Sequence, residues 1–330
     1  TITIMMNSMN QIHKNFESVS NTSMPLVSLS NQTSVQLLSA DKSFKDFLTT
    51  QSSNRMTAMR SEFGVSQENF ANTLSQLEAA SSNDAALLER IAQLREMEQR
   101  YFTEAAEAMN NYEAMFVAQA QVQKAARDFQ RLHSELSIGM KEYVDDQSSI
   151  SVKVMAKSYF IKLKDAEMIT SDALASSDIE FVQKAVNKNK KAVTHLNYAY
   201  RGLSTQLPPL KKVFDDSVQK FSKDVGKKGG VLDKHNNYLQ AKNALYINIA
   251  NLAVEVDNAM GILDSFNAAA GEQLNTSLVE AGEVYDQGLV NAIGIGLVVT
   301  LFAAAIGYHI AQSVREPLTR ILSTLEGLTE

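Results

Sequence analysis

The chain has 330 residues, a formal charge of −6, 45% hydrophobic and 21% charged side chains, no Cys and no Trp. The lack of Cys excludes disulfide frameworks, thiolate zinc sites, iron–sulfur clusters and cysteine nucleophiles, and the acidic balance speaks against a nucleic-acid partner, which selects basic stripes. Only four Pro occur (Pro25, Pro208, Pro209 and Pro317), and residues 26–207 hold three Gly, Gly64, Gly139 and Gly202; hairpins and crossovers need more turn residues than that, so the chain reads as long helices.

The first helix carries Met5, Met9, Ile12, Phe16, Val19, Ser23, Leu26, Ser30, Thr33, Leu37, Ala40 and Phe44 on one stripe. Pro25 removes a backbone donor and predicts a kink in the polar part, residues 18–34. Residues 54–77 read as a second helix, followed by Ser81–Asp84, a run of N-cap residues. From Leu87 a 3.5-residue repeat runs through Ile91, Leu94, Tyr101, Ala105, Ala108, Tyr112, Met115, Val122, Ala126 and Phe129 to Leu136, Met140 and Tyr143, the pattern of a coiled coil or long bundle. Further helices are expected over 150–174, ended by Ser176–Asp178, over 180–200, closed by Gly202 and Pro208–Pro209, and over 210–225, ended by the basic turn Gly226–Gly230. The last seam begins at Tyr238 and runs through Leu245, Ile249, Leu252, Val256, Ala259, Leu263, Phe266 and Ala270 towards Tyr285.

Residues 287–314 carry no formal charge, and Leu289–Ile310 within them is apolar enough to cross a bilayer, with Tyr308 and His309 near one end. The expected fold is all-α and elongated: two stacked four-helix bundle modules sharing long helices and continuing into a transmembrane helix. The expected divisions are residues 1–6 as the end of a truncated first membrane segment, 7–286 as the large helical region, 287–312 as the transmembrane helix and 313–330 as the segment that follows it.

Catalytic and metal motifs are missing: the five His are scattered, and Gly294 and Gly296 fall inside the apolar stretch without a phosphate-loop pattern. No enzyme activity, cofactor or metal is expected. Binding is the remaining reading, and polar residues on apolar seams point to it: Glu98, Gln119 and His133 on one, Lys242 on another, and Ser23, Ser30 and Thr33 on the third. A buried polar group without a partner costs roughly 1–3 kcal/mol, so each needs an interhelical hydrogen bond or a ligand. Lys124, Arg127 and Arg131 share a helical face beside His133; they form either a solvated basic face or a carboxylate site, for which the guanidinium fork is suited. Arg55 and Arg60 are a second basic pair, and Tyr159 is an aromatic that could wall a pocket.

After the apolar stretch come Arg315–Leu318, with Pro317, then Ile321, Leu322, Leu325 and Leu328, ending Leu325–Glu330 in the form L-E-G-L-T-E. This resembles the first helix of a HAMP domain and is similar to the same segment of bacterial methyl-accepting chemotaxis proteins. The region before it resembles the helical bimodular sensor class, with local echoes at Ala126–Phe129, Ala156–Tyr159 and Ala241–Ala244. The resemblance implies a chemoreceptor in the bacterial inner membrane with a periplasmic sensor. It further implies a small organic acid as ligand, a homodimer, and a cytoplasmic kinase-coupling complex reached through a C-terminal part. The sequence departs from the class in having no Arg before Arg55, which leaves residues 124–133 as the expected cationic site. Two other readings stand beside it: the sensor of a histidine kinase that docks a periplasmic binding protein, and a structural or pore-forming helical membrane protein.

Overall fold

A computed structural model of the chain describes residues 13, 14, 16–282 and 306, and all of its described regular structure is helical. A π turn at Val19–Ser23 leads into α1 (Met24–Phe47), followed by α2 (Ser53–Ala80) and α3 (Ala85–Ser134). A second π turn, Glu135–Gly139, joins α3 to the short α4 (Met140–Asp145), and α5 (Ile150–Ala175), α6 (Ile179–Gln206), α7 (Leu210–Gly226) and α8 (Val231–Gly282) complete the order. Among the described residues no helix is long and apolar enough to cross a membrane. The expected transmembrane helix and HAMP-like segment, and the membrane-segment end at residues 1–6, lie outside them, Ile306 apart.

Local chemistry accounts for the boundaries. Asp84 begins α3 by accepting the Ala86 and Leu87 N–H groups at 2.9 and 3.0 Å, and Asp178 begins α6 by accepting those of Glu180 and Phe181 at 2.8 and 3.1 Å, each satisfying two donors that a helix start leaves open. Pro25 follows directly on the π turn inside a continuous run of helical backbone, and the wider π pattern, in which the Met24 N–H donates to Val19, accommodates the donor that Pro25 lacks. Gly202 does not close α6, which runs on to Gln206 before Pro208 and Pro209. A single helical Gly costs about 1 kcal/mol, and burial of Leu203 and Ser204 outweighs it.

The described residues form two compact units. One comprises the described residues of Thr1–Met109 and Ile247–Thr324, the other those of Asn110–Tyr246 and Leu325–Glu330, so α3 and α8 each contribute to both. In the first unit α1 packs on α2. Its core takes Leu26, Leu37, Ala40 and Phe44 from α1, Phe63, Phe70 and Leu74 from α2, Leu87, Ile91, Leu94 and Tyr101 from α3, and Leu252, Leu263 and Phe266 from α8, all nearly inaccessible to solvent. The residues from α1, α3 and α8 are seam positions that the sequence repeats pick out, and Phe63, Phe70 and Phe102 add ring contacts at 5.2 and 6.0 Å.

The second unit holds two apolar clusters. The larger gathers Phe129, Leu136, Tyr159, Leu163, Leu196 and Phe221 with their neighbours, and the smaller Ala173, Val182, Ala185, Val231, Leu232 and Leu239. Thr170 and Asn189, both fully buried, lie on α5 and α6 at the sequence positions between the two clusters, and the Asn189 amide donates to Thr170 Oγ1 at 2.9 Å. The Glu135–Gly139 π turn changes the seam: burial passes through Leu132, Leu136, Met140 and Val144 in steps of four, leaving His133 and Tyr143 half-buried instead of in the core. A π turn adds a residue to one turn and so shifts the face that follows.

Candidate functional site

The polar seam residues divide by environment. Ser23, Ser30 and Thr33 are buried on α1 in the first unit. Thr33 returns its hydroxyl to the Leu29 carbonyl at 2.8 Å, whereas the Ser23 and Ser30 hydroxyl oxygens are buried without a partner. On α8 Asn267 donates weakly to Asn31 at 3.4 Å, while its own carbonyl oxygen is unpartnered. Glu98 of α3 is half-buried, and burial raises its carboxyl above the usual range against the opposing influence of Arg95.

Lys242 in the second unit is the expected ligand-binding cation that the fold buries. Its residue exposure is 8%, and among the described residues no carboxylate lies within ion-pair distance. Burial lowers its ammonium from the ordinary lysine range, and the one contact with a favourable charge distribution is the Tyr246 ring, 5.9 Å from Nζ. The Lys242 stem is buried, but its ammonium is not among the atoms closed off from solvent; it reaches the surface beside an aromatic face, without an anion among the described residues.

The other expected residues are placed differently. Lys124, Arg127 and Arg131 are exposed on α3, with Arg131 3.8 Å from Glu135; they form an open basic face. His133 is half-buried beside the rings of Phe129 and Phe221, at 6.4 and 6.5 Å. Burial lowers its imidazole below the usual range, opposed by Glu167. Gln119 is half-buried on α3 and Arg55 is exposed on α2. Arg60 stands over the Phe47 ring at 5.2 Å. Tyr159 lies in the larger apolar cluster, fully buried, with its hydroxyl unpartnered and its pKa raised by burial and by the nearby Tyr200. Tyr200 itself donates to Asp215 at 2.8 Å. Arg55 and Arg60 belong to the first unit and the others to the second, where Tyr159 sits in the apolar cluster while Lys124, Arg127 and Arg131 face solvent.

Several polar groups carry no signal in the sequence. His235, 7% exposed, donates Nε2–H to the Ser176 carbonyl at 2.8 Å, which leaves Nδ1 as a buried acceptor without a donor. Asp41 pairs with Lys45 inside the first unit, and the Tyr101 hydroxyl donates to Asp41 at 3.4 Å. Also in the first unit, α3 and α8 border a groove of about 560 Å³ lined by Gln99, Arg100, Thr103, Glu104, Asn251, Val254 and Glu255. Arg100 Nε donates to Glu255 Oε1 at 2.9 Å, and Glu104 Oε1 accepts from Asn248 and Asn251 at 2.8 and 3.0 Å.

The units also differ in charge. Residues 1–109 and 247–282 hold 8 Lys and Arg against 17 Asp and Glu, a net −9, whereas residues 110–246 hold 21 against 15, a net +6. No group of acidic or imidazole side chains suited to a metal ion occurs among the described residues. Comparison with family models, with curated proteins and with solved structures gives no match.

Proposed function

We propose that the chain is the sensory and transmembrane portion of a bacterial chemoreceptor, with residues 7–286 as a periplasmic sensor of two stacked helical modules. In this reading a small carboxylate-bearing ligand binds in the basic unit, residues 287–312 cross the inner membrane, and the HAMP-like residues 313–330 pass the signal on. Receptor subunits pair as a homodimer and act on a cytoplasmic kinase-coupling complex.

Lys242, with a buried stem and an ammonium that pairs with no carboxylate among the described residues, carries the proposal. A ligand carboxylate supplies the counter-ion that the fold leaves out, and the net positive charge of residues 110–246 concentrates anions around it. Lys242 lies on α8, which contributes to both units and ends its described part four residues before the uncharged stretch starting at Gln287. A ligand that prefers one packing of α8 biases that packing by its differential affinity for the two states. α8 then delivers the bias to the membrane.

The test is thermal unfolding of the 330-residue chain in zwitterionic nanodiscs against a panel of two- to six-carbon mono- and dicarboxylates. A ligand at about 100 times its Kd adds about 2.7 kcal/mol. The proposal expects at least one acid to raise the midpoint in the wild type and not in Lys242→Met, which keeps length and apolar volume but removes the charge. If no acid shifts the midpoint, direct acid sensing is wrong.

One observation favours the histidine-kinase sensor that docks a binding protein: α5 exposes Val154, Ile161 and Met168, at 65%, 51% and 49%, seven residues apart on one face. That reading expects no acid response and a loss of periplasmic-protein capture in Ile161→Glu.

A further inference from the structure

We infer that the outer face of α5, together with the groove between α5 and α6 in the second unit, docks an acidic amphipathic helix of a partner protein. The inference rests on the docked-protein reading of that face and is independent of acid sensing around Lys242. Val154, Ile161 and Met168 recur every seven residues on α5, at 65%, 51% and 49% exposure, and Ile150 continues the stripe at 80%. Seven residues are nearly two whole helical turns, so these side chains share one face. A helix in water turns such a face inward unless something else covers it. Met168 also borders a groove of about 320 Å³, which Ile169 of α5 and Ala192 of α6 line with apolar atoms. Stripe and groove thus form one apolar trough.

Charge selects the occupant. Lys153, Lys157 and Lys164 are exposed along the α5 side of the trough, and Lys184, Lys188 and Lys191 along the α6 side. Spacings of three, four and seven residues keep each set on one edge of its helix. Asp165 and Glu180 are engaged locally, by Lys162 at 3.6 Å and by Lys184 at 2.7 Å. Lys153, Lys157, Lys164, Lys188 and Lys191 have no carboxylate within ion-pair distance among the described residues. Residues 110–246 as a whole carry a net +6, a field that draws in an acidic partner. A second copy of this face is disfavoured, because it sets lysine edges against lysine edges. An anionic bilayer is disfavoured because its surface is flat, whereas Ile169 and Ala192 lie inside a groove. A helix is a convex rod, and helix-in-groove docking places its apolar face in such a trough. Acidic residues on both flanks of that helix then meet the two lysine edges. The stripe from Ile150 to Met168 is roughly 27 Å long, about five turns of the partner helix.

The experiment is fluorescence anisotropy of a labelled synthetic helical peptide, about five turns long, titrated with the 330-residue chain in zwitterionic nanodiscs. The probe carries Leu at i, i+3, i+4 and i+7 and Glu on both flanks; its control has Lys in place of every Glu. The inference expects saturable, salt-sensitive binding of the Glu peptide and none of the Lys peptide. It expects about a tenfold or greater weakening in Ile161→Glu and in Lys164→Glu. Both side chains are exposed, so helical content is retained. Lys211→Glu makes the same charge change on α7 and is expected to leave the affinity within about twofold. Failure of the wild type to bind the Glu peptide, equal binding of the Lys peptide, unchanged affinity in Ile161→Glu or Lys164→Glu, or an equal loss in Lys211→Glu overturns it. Failure of the peptide alongside self-association or phosphatidylglycerol-vesicle binding that Ile161→Glu abolishes also overturns it, and assigns the face to a second copy or to a lipid surface. An acid response that depends on Lys242, alongside failure of the peptide, overturns the docking surface and leaves the chemoreceptor reading standing.

Discussion

The turn between α7 and α8 offers a sharp test of the packing. Gly229 has φ of +81°, and Gly230 lies so close to the end of α7 that an added Cβ would stand 2.2 Å from the Asp224 carbonyl oxygen and 3.0 Å from the Lys227 oxygen. Both obstacles are backbone atoms, so no side-chain rotation relieves them. To admit Gly230→Ala the turn must open, which forfeits the Gly230 N–H bond to Lys227 at 3.1 Å and the Gly229 N–H bond to the Asp233 carboxylate at 2.7 Å. A neutral hydrogen bond contributes about 1 kcal/mol and one to a charged group about 1.5–3 kcal/mol, so the loss is about 2–4 kcal/mol. At roughly 2–4 °C per kcal/mol, the unfolding midpoint falls by about 5–15 °C. Two controls separate this clash from generic glycine effects. Gly229→Ala has open space but a left-handed φ, and costs about 1 kcal/mol. Gly202→Ala, mid-helix with nothing nearby, stabilises by about 0.4–1 kcal/mol. Thermal unfolding followed by far-ultraviolet circular dichroism ranks the three, and a Gly230→Ala no less stable than Gly229→Ala refutes the reasoning.

Three further outcomes are expected. Burial lowers the imidazole pKa of His235 and His133, so between their folded values and the unfolded value of about 6.5 the unfolded chain binds more protons. Stability therefore falls as pH drops through that window, and His235→Gln reduces the slope in unfolding measured from pH 7.5 to 5. Asp178→Ala removes both cap bonds of α6 and costs about 1 kcal/mol in denaturant unfolding, whereas Asp178→Asn restores most of it. Lys242→Met raises the midpoint of the ligand-free chain, because burial disfavours the charged form of Lys242 and no anion offsets it; a lower midpoint shows that its packing on the Tyr246 ring outweighs that cost.

Much of the helical order was legible because the signals are local. Leu87, Ile91, Leu94, Tyr101, Ala105 and Ala108 lie on one spacing of three and four residues that also passes through half-buried Glu98, and these six are buried as that spacing requires. Asp84 and Asp178 mark helix starts through their own side-chain chemistry. Ser23, Ser30, Thr33 and Lys242 were readable as buried exceptions for the same reason, since their neighbours at seam spacing are apolar. The Glu135–Gly139 π turn was not readable: no Pro accompanies it, and it moves burial from Tyr143 to Val144. Gly202 misled because a lone helical glycine is tolerated when its neighbours are packed.

The surroundings of the candidate binding residues were less legible, and the reason is pairing between distant segments. The spacing of Lys124, Arg127 and Arg131 fixes that they share a face, but whether that face meets a helix or solvent depends on other elements, and they are exposed. Glu104 and Glu255 come together only once α3 lies beside α8. The acidic charge of the first unit likewise more than doubles when residues 247–282, net −5, are counted with residues 1–109, net −4.

In the proposed receptor, ligand binding changes how α8 is held, and the absence of Cys makes that change directly measurable. Spin labels at Val35→Cys and Val254→Cys, both on exposed positions of the first unit, report the distance from α1 to α8 by pulsed electron resonance. In nanodiscs, with the carboxylate that raises the unfolding midpoint added to saturation, the distance distribution is expected to shift in the Lys242 chain and to stay fixed in Lys242→Met. An unchanged distribution in the Lys242 chain at saturating ligand would contradict transmission through α8.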